Sequence, residues 1–315
     1  MIEINRILCP VDFSAQSDHA LVFAMKMAAR YEAPLHVLHV MPPTASASGL
    51  GAAGRELTAR NLKTMIERWR EPGVETAGEL LESGNIPEKI MQRAEALDAD
   101  LIVTGSHGRT GIERLALGSV VDPLLRRCRQ PVLVIPALLD PPRLDNPVWI
   151  ARILCAVDFS TASLTAFARA LSIAEETDAN LTVLNVIEPL PELVKGSPLL
   201  DWSDDHTTRA ATIARLTRLR ALVPRNANDY CTVRTAVLEG RAWQQILALA
   251  EREQSDLIVL GVHGRNALEA ALFGSNSRNV ITHAHCPVLV VPAGHRRDPV
   301  YLRSQAPYRE PALAF

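Results

Sequence analysis

The sequence predicts an α/β fold in two tandem domains, each an open parallel sheet of five strands with helices on both faces. Three observations support it: an internal duplication, the alternation of short apolar runs with longer amphipathic stretches, and strands that are apolar throughout. The duplication is clearest where residues 6–14 return as residues 152–160, an offset of 146 residues. The same offset relates Val40 to Val186.

The first copy contains five predicted strands and four predicted helices in alternating order. The first strand ends at Asp12, and a helix follows in which Ala20, Phe23 and Ala24 fall on one face. Later strands such as 101–103 are wholly apolar, as expected when helices cover both faces of a sheet. Such alternation is typical of βαβ units. The predicted strands are 6–11, 34–40, 75–80, 101–104 and 131–135, and the predicted helices are 14–31, 56–69, 87–97 and 119–128.

The domain limits follow from the repeat and from the segments between its parts. The glycine loops described below align at an offset of 156, so the second copy gained ten residues between Val186 and Gly240. Residues 43–54 and 188–205 are expected to be loops that could act as lids. The prediction is a first domain at 1–138, a linker rich in proline and aspartate at 139–148, a second domain at 149–294 and a polar tail at 295–315.

Composition and charge narrow the class of protein. The chain has 315 residues, 48% hydrophobic and 22% charged, which are ordinary globular values. A formal net charge of -2 without clustered Lys and Arg argues against a nucleic-acid or anionic-membrane surface. No apolar run reaches the roughly 20 residues of a bilayer span, and residues 1–6 do not form a signal peptide. We therefore expect a cytoplasmic protein.

The cysteines and histidines give no strong indication of a metal or disulfide site. Five cysteines are an odd number without a CxxC spacing, so they are expected to be reduced core residues. His283, His285 and Cys286 look like a metal cluster, but Cys286 begins the predicted last strand, which favours a structural role. His107 and His263 lie inside the glycine loops, where loop packing is favoured over catalysis.

Two glycine loops carry the strongest indication of function. Each follows the predicted fourth strand of its copy and has the form G-x2-G-x9-G-S. Glycines let backbone N–H groups approach a phosphate, and the following helix adds amides and a favourable dipole. The alternative is that these residues only form turns and caps, but a fixed spacing that occurs twice favours phosphate binding. The motif residues are Gly105, Gly108, Gly118 and Ser119, and then Gly261, Gly264, Gly274 and Ser275.

Asp12 and Asp158 end the first strand of each copy, near the glycine loops. In an open parallel sheet, ligands bind beyond the carboxyl ends of the strands, where the strand order reverses. If the first and fourth strands are neighbours there, carboxylate and glycine loop face one crevice. Arg109 and Arg265 follow the second glycine of each loop. They could bind phosphate oxygens or remain solvated, and the sequence does not decide between these readings.

Both copies resemble the universal stress protein family. The resemblance lies in the complete G-x2-G-x9-G-[ST] motif, the PVDFS strand end at residues 10–14, and the closing segments CRQPVLVIP and AHCPVLVVP. It covers nearly the whole chain. It implies a tandem member with Rossmann-like domains of the adenine nucleotide alpha hydrolase type and the strand order 3-2-1-4-5.

The resemblance also implies two adenine-nucleotide sites, for ATP or for ADP or AMP. It implies that the aspartates contact the adenosine and that the backbone of the second strand contacts the adenine. The phosphates would lie on the glycine-loop motif and on the residue that follows it. Each aspartate is a lone carboxylate that could help to hold Mg²⁺ through the phosphates. Pro10 is replaced by Ala156 and Val120 by Asn276, so unequal affinities are expected. The implied positions are Pro10, Asp12, Val40, Gly105, Gly108, Gly118, Ser119, Val120, Ala156, Asp158, Val186, Gly261, Gly264, Gly274, Ser275 and Asn276.

The favoured function is an ATP-binding regulatory protein of the stress response, in which nucleotide occupancy changes loop order and partner binding. No GxxxxGK[ST] sequence occurs and neither loop contains a lysine, so fast hydrolysis is not expected. A slow ATPase or self-phosphorylating enzyme using Ser119 stays open, as does a nucleotide-independent dimeric scaffold. The apolar last strands at 132–135 and 288–291 are expected to pair the copies into a pseudo-dimer, and to pair a second chain in a homodimer.

Overall fold

The structure, a computed structural model, contains ten strands and eight α-helices in the residues that it describes, which are 4–41, 51–81, 84–108, 117–137, 139, 150–188, 205–262 and 274–293. The strands are β1 (Ile7–Pro10), β2 (Leu35–Val40), β3 (Thr76–Leu81), β4 (Leu101–Gly105), β5 (Val132–Ile135), β6 (Arg152–Ala156), β7 (Asn180–Ile187), β8 (Thr232–Glu239), β9 (Leu257–Val262) and β10 (Val288–Pro292). The helices are α1 (Ala15–Tyr31), α2 (Gly51–Arg68), α3 (Ile86–Ala96), α4 (Val121–Arg127), α5 (Thr161–Thr177), α6 (Asp205–Leu222), α7 (Ala242–Arg252) and α8 (Ser275–His283).

All ten strands form one continuous sheet in the order β3-β2-β1-β4-β5-β10-β9-β6-β7-β8. Each half is parallel and has the predicted order 3-2-1-4-5, so the predicted fold class is confirmed. The halves meet where β5 pairs with β10 in the antiparallel direction, with Leu133 opposite Leu289. These two leucines occupy equivalent positions in the two copies, so a pseudo-twofold axis passes between them.

The last strands of the two copies therefore pair within the chain, as expected, but this pairing leaves no room for the expected pairing with a second chain. β5 lies between β4 and β10, and β10 lies between β5 and β9, so both edges of both strands are filled. A second chain has no open edge to pair with at these strands. The predicted homodimer through the last-strand edges is wrong for this pairing, and any homodimer would have to use another surface.

The core consists of two apolar layers, one on each face of the sheet. Because side chains alternate along a strand, Ile7 and Cys9 pack on one face and Leu8 on the other. The first layer continues across both copies beneath α1 and α5, and the second beneath α4 and α8. This double covering explains why the central strands are apolar throughout.

The Asp-Phe-Ser segment that follows the first strand of each copy starts the next helix. Ser14 caps α1 by accepting a hydrogen bond from the N–H of Ser17, and Ser160 caps α5 in the same way. Phe13 and Phe159 precede these caps with φ of 63° and 65°, the left-handed region that side chains adopt rarely. The sharp turn thus leaves the aspartate at the edge of the sheet.

Two predicted boundaries differ from the structure by more than one residue. Residues 51–54, predicted as loop, belong to α2, although Gly51 and Gly54 disfavour helix. The helix predicted at 119–128 has seven residues, since Ser119 and Val120 form a turn before it. The rest of the first predicted lid, most of the second, and all but the first residue of the predicted linker at 139–148 lie outside the described residues. The domain limits remain a prediction.

The five cysteines are all buried, as predicted for core residues, and each is a free thiol. Burial raises the pKa of Cys128 to about 11 and that of Cys286 to about 12. Among the described helices, none is long and apolar enough to cross a membrane.

Candidate functional site

The end of β1 sets the position of Asp12. The N–H of Val11 still donates to the carbonyl of Leu38 at 2.8 Å, so the chain leaves the sheet immediately after it. Oδ1 of Asp12 then accepts from the backbone N–H of Ser14 at 3.0 Å and from its hydroxyl at 2.6 Å. These two bonds fix the carboxylate in one orientation.

The glycine loop of the first copy lies against this carboxylate. β1 and β4 are neighbours, so the loop that leaves β4 begins beside the end of β1. A Cβ atom built on Gly108 would lie 2.7 Å from Oδ2 of Asp12, closer than real Cβ contacts come. Only glycine lets the loop come this close to Asp12. The structure therefore brings together the two features that the sequence singled out.

The third glycine of the motif closes the same loop. The N–H of Gly118 donates to the carbonyl of Ser106 at 3.0 Å, and a Cβ on Gly118 would lie 3.1 Å from that oxygen. Because the Gly118 amide is used within the loop, an anion there would meet the amides of Ser119 and Val120 instead. Ser119 is exposed and Val120 is half-buried, and Val120 gives α4 no side-chain cap.

The second strand of each copy carries a polar residue that the sequence analysis missed. Nδ1 of His39 lies 2.8 Å from the carbonyl of Val11, and Nδ2 of Asn185 donates to the carbonyl of Val157 at 2.7 Å. A carbonyl only accepts, so Nδ1 of His39 carries the hydrogen. Both side chains hold the strand end just before the site aspartate. The signal was available, since positions 39 and 185 are equivalent in the two copies and polar in both.

The positions implied to contact adenine lie at the same edge of the sheet. Val40 ends β2 and is buried, whereas Val186 is half-buried near the end of β7. Pro10 and Ala156 end β1 and β6, and both are half-buried. These residues therefore lie at the same edge of the sheet as the aspartates.

The second copy repeats the strand end with differences. Oδ1 of Asp158 accepts from the N–H of Ser160 at 2.9 Å, and the N–H of Asp158 donates to Oγ of Ser163 at 3.2 Å. Asp158 is exposed, whereas Asp12 is half-buried. The guanidinium carbon of Arg218, on α6, lies 4.0 Å from the centre of the Phe159 ring.

The glycines of the second loop serve different steric needs. A Cβ on Gly261 would lie 2.3 Å from the backbone carbon of Ala162, whereas a Cβ on Gly274 would meet nothing within 4 Å. Ser275 is exposed and begins α8. Gly264, Arg265 and, in the first loop, Arg109 lie outside the described residues.

Glu188, the first residue after β7, places a carboxylate at the second site. Oε1 of Glu188 accepts from the N–H of Ala242 at 2.8 Å and from Nδ2 of Asn276 at 3.3 Å. Asn276 is one of the positions where the resemblance implies phosphate. The sequence analysis did not single out Glu188, because no motif marks it.

The residues named as a metal cluster have other surroundings. Nδ1 of His283 lies 2.9 Å from the carbonyl of Asn279, and its ring lies 5.8 Å from that of Trp243. Cys286 is buried in the second core layer. Within the described part of the chain, no group of three His, Cys, Asp or Glu residues could hold a metal ion.

Comparison with known proteins matches both copies to one family. The sequence model of the universal stress protein family matches residues 3–136 and 150–292. A universal stress protein of Mycolicibacterium smegmatis is 29% identical over 296 residues, which cover 90% of this chain and 96% of that protein. One of Methanocaldococcus jannaschii is 34% identical over 143 residues, or 44% of this chain and 81% of that protein.

A solved structure shares the whole fold. The crystal structure of a universal stress protein from Archaeoglobus fulgidus matches with a TM-score of 0.67 at 21% identity, covering 93% of this chain and 100% of that one. The family match extends over both copies and leaves only short segments unmatched. The chain belongs to the universal stress protein family.

Proposed function

We propose that the protein binds adenine nucleotides, ATP foremost, at the carboxyl ends of β1 and β6, and acts as a nucleotide-dependent switch in the stress response. The observation that carries the proposal is the approach of Gly108 to Asp12, where a Cβ would lie 2.7 Å from the carboxylate. A glycine kept free of side-chain atoms beside an oriented carboxylate suits a ligand that meets both backbone and carboxylate.

The charges divide the site into two ends. A carboxylate accepts hydrogen bonds and repels phosphate, so Asp12 suits the hydroxyl or amine donors of a nucleoside. The amides of Ser119 and Val120 are donors and suit the phosphates at the other end. Val40 would then offer its backbone to the base. Asp158, Val186 and Ser275 would play the corresponding parts in the second copy, together with Gly261, Gly264 and Gly274.

The same residues suit binding better than rapid turnover. Phosphoryl transfer needs a cation on the transferred group and a positioned nucleophile. Neither loop sequence contains a lysine, and Asp12 and Asp158 are single carboxylates. Mg²⁺, if bound with the nucleotide, would neutralise part of the phosphate charge. We therefore propose that occupancy, rather than hydrolysis, carries the signal.

Calorimetry on protein stripped of nucleotide tests the proposal. We expect ATP to bind the folded protein, and Gly108→Ala to weaken the first site at least tenfold, because the new Cβ collides with Asp12. Gly84→Ala is the matched control, since its Cβ would meet only the flexible side chain of Lys89. Folded protein that binds no ATP would overturn the proposal and favour the nucleotide-independent scaffold. Mass spectrometry of released nucleotide would identify the ligand and its stoichiometry.

A further inference from the structure

We infer that Glu188 makes the second site discriminate against long phosphate chains, which rests on the proposed nucleotide binding. Glu188 is the first residue after β7 and lies two positions beyond Val186. Its carboxylate reaches across to the starts of α7 and α8, where it accepts from Ala242 at 2.8 Å and from Asn276 at 3.3 Å. Its carboxylate therefore lies beside the start of α8, where Ser275 and Asn276 form the phosphate end of the proposed site.

The carboxylate competes with phosphate in two ways. It accepts the side-chain hydrogen bond of Asn276, a donor that a phosphate oxygen would otherwise use. It also places a negative charge beside the phosphates, and like charges at this distance repel more strongly as the ligand charge rises. Each added phosphate therefore costs more affinity in the second site than in the first.

Among the residues that the structure describes, the first site shows no counterpart of this arrangement. By the offset of 146, the residue equivalent to Glu188 is Pro42, which has no carboxylate. Asn276 corresponds to Val120, which has no donor in its side chain. α3, the counterpart of α7, is capped by its own Asn85, which accepts from the N–H of Glu88. The two sites therefore differ in charge at the position of Glu188.

A competing explanation is that Glu188 only caps a helix. Arg241, at the start of α7, makes no side-chain capping bond, and Glu188 supplies the missing acceptor. Glu188→Gln separates these roles, because the amide oxygen can still accept from Ala242 but the charge is gone. A purely capping role predicts no change in nucleotide affinity.

The experiment uses the full chain with the first site blocked by Gly108→Ala. Adenosine, AMP, ADP and ATP are titrated by calorimetry into this protein with Glu188 or with Glu188→Gln. We expect the substitution to tighten ATP binding about tenfold, ADP and AMP progressively less, and adenosine not at all. Glu251→Gln is the matched control, since it removes the same charge from the far end of α7, about 14 Å away.

Each outcome decides the question. An equal gain for adenosine and ATP would show steric obstruction and overturn the inference, as would an unchanged series. If thermal melting shows that Glu188→Gln does not fold, Glu188→Ala replaces it with the same expected order of gains. If the wild-type first site binds ATP but the second site shows no graded effect, the inference fails and the proposed function stands. No ATP binding at either site defeats both the inference and the proposed function.

Discussion

Replacing Gly261 by alanine should destabilise the protein much more than the same change at Gly105, although both open the same motif. The Cβ on Gly261 would lie 2.3 Å from the carbon and 2.4 Å from the oxygen of Ala162, and 2.4 Å from the nitrogen of Ser163. All three atoms are backbone in the first turn of α5. Accommodating the methyl group therefore requires α5 to move away from β9.

The equivalent position in the first copy is less crowded. A Cβ on Gly105 would lie 3.1 Å from the carbonyl oxygen of Gln16, and a shift of a few tenths of an ångström relieves that contact. Overpacking costs about 1–3 kcal/mol and occasionally more. We assign about 3 kcal/mol or more to Gly261→Ala and about 1 kcal/mol to Gly105→Ala. For a domain of this size these costs lower the melting temperature by roughly 10 °C and roughly 3 °C.

Differential scanning calorimetry of the nucleotide-free proteins measures both shifts. Gly274→Ala is the matched control, since its Cβ would meet nothing within 4 Å. The reasoning fails if Gly261→Ala melts within about 3 °C of the wild type, or if it melts no lower than Gly105→Ala. In either case, the close approach of α5 would not be the reason for glycine at 261.

Three further predictions follow from charged and buried groups. Asp122→Asn should cost about 1 kcal/mol or less, because its ion pairs with Arg126 and Arg278 are partly exposed, and melting in 1 M salt should show a smaller loss than in low salt. Burial alone would raise the pKa of Glu79, but hydrogen bonds from Arg93 and His36 outweigh it and lower that pKa. The ionised Glu79 side chain therefore stabilises the fold above the pKa that it has in the unfolded protein, and this stabilisation is lost as the pH falls through its pKa in the folded protein. Between pH 7 and pH 3, the melting temperature of Glu79→Gln should therefore fall less than that of the wild type. A thiol reagent at pH 8 should label none of the five cysteines in the native protein and all five in denaturant, and rapid native labelling would contradict their burial.

Features with a local physical cause could be predicted from the sequence. The central strands are apolar because both sheet faces are covered, and the helices that follow β1 and β6 begin after serines that cap their first turns. The juxtaposition of Asp12 and Gly108 also follows from the sequence, because neighbouring parallel strands end at one edge of a sheet. Because the chain is duplicated, the same patterns occur in both copies of the sequence.

Features that depend on tertiary contact could not be predicted. Nothing local distinguishes Gly261 from Gly105, because the difference lies in how closely α5 or α1 packs on the strand. The role of Glu188 depends on two helix starts that are distant in sequence. The filling of both edges of β5 likewise depends on the antiparallel joint with β10, and so the homodimer expectation failed there.

The two copies meet at the antiparallel pairing of β5 with β10, and in a duplicated chain the residues at this interface need not be identical on its two sides. Asp122 and Arg278 are equivalent residues, 156 positions apart, and Nη2 of Arg278 lies 2.5 Å from Oδ1 of Asp122 across the pseudo-twofold axis. Two first copies paired in this way would set Asp122 against Asp122, and two second copies would set Arg278 against Arg278. Like charges repel where these two attract, so the pair favours joining unlike copies. Because the two copies differ where they pair, their sites can differ as well, and Glu188 and Asn276 are such differences in the second copy.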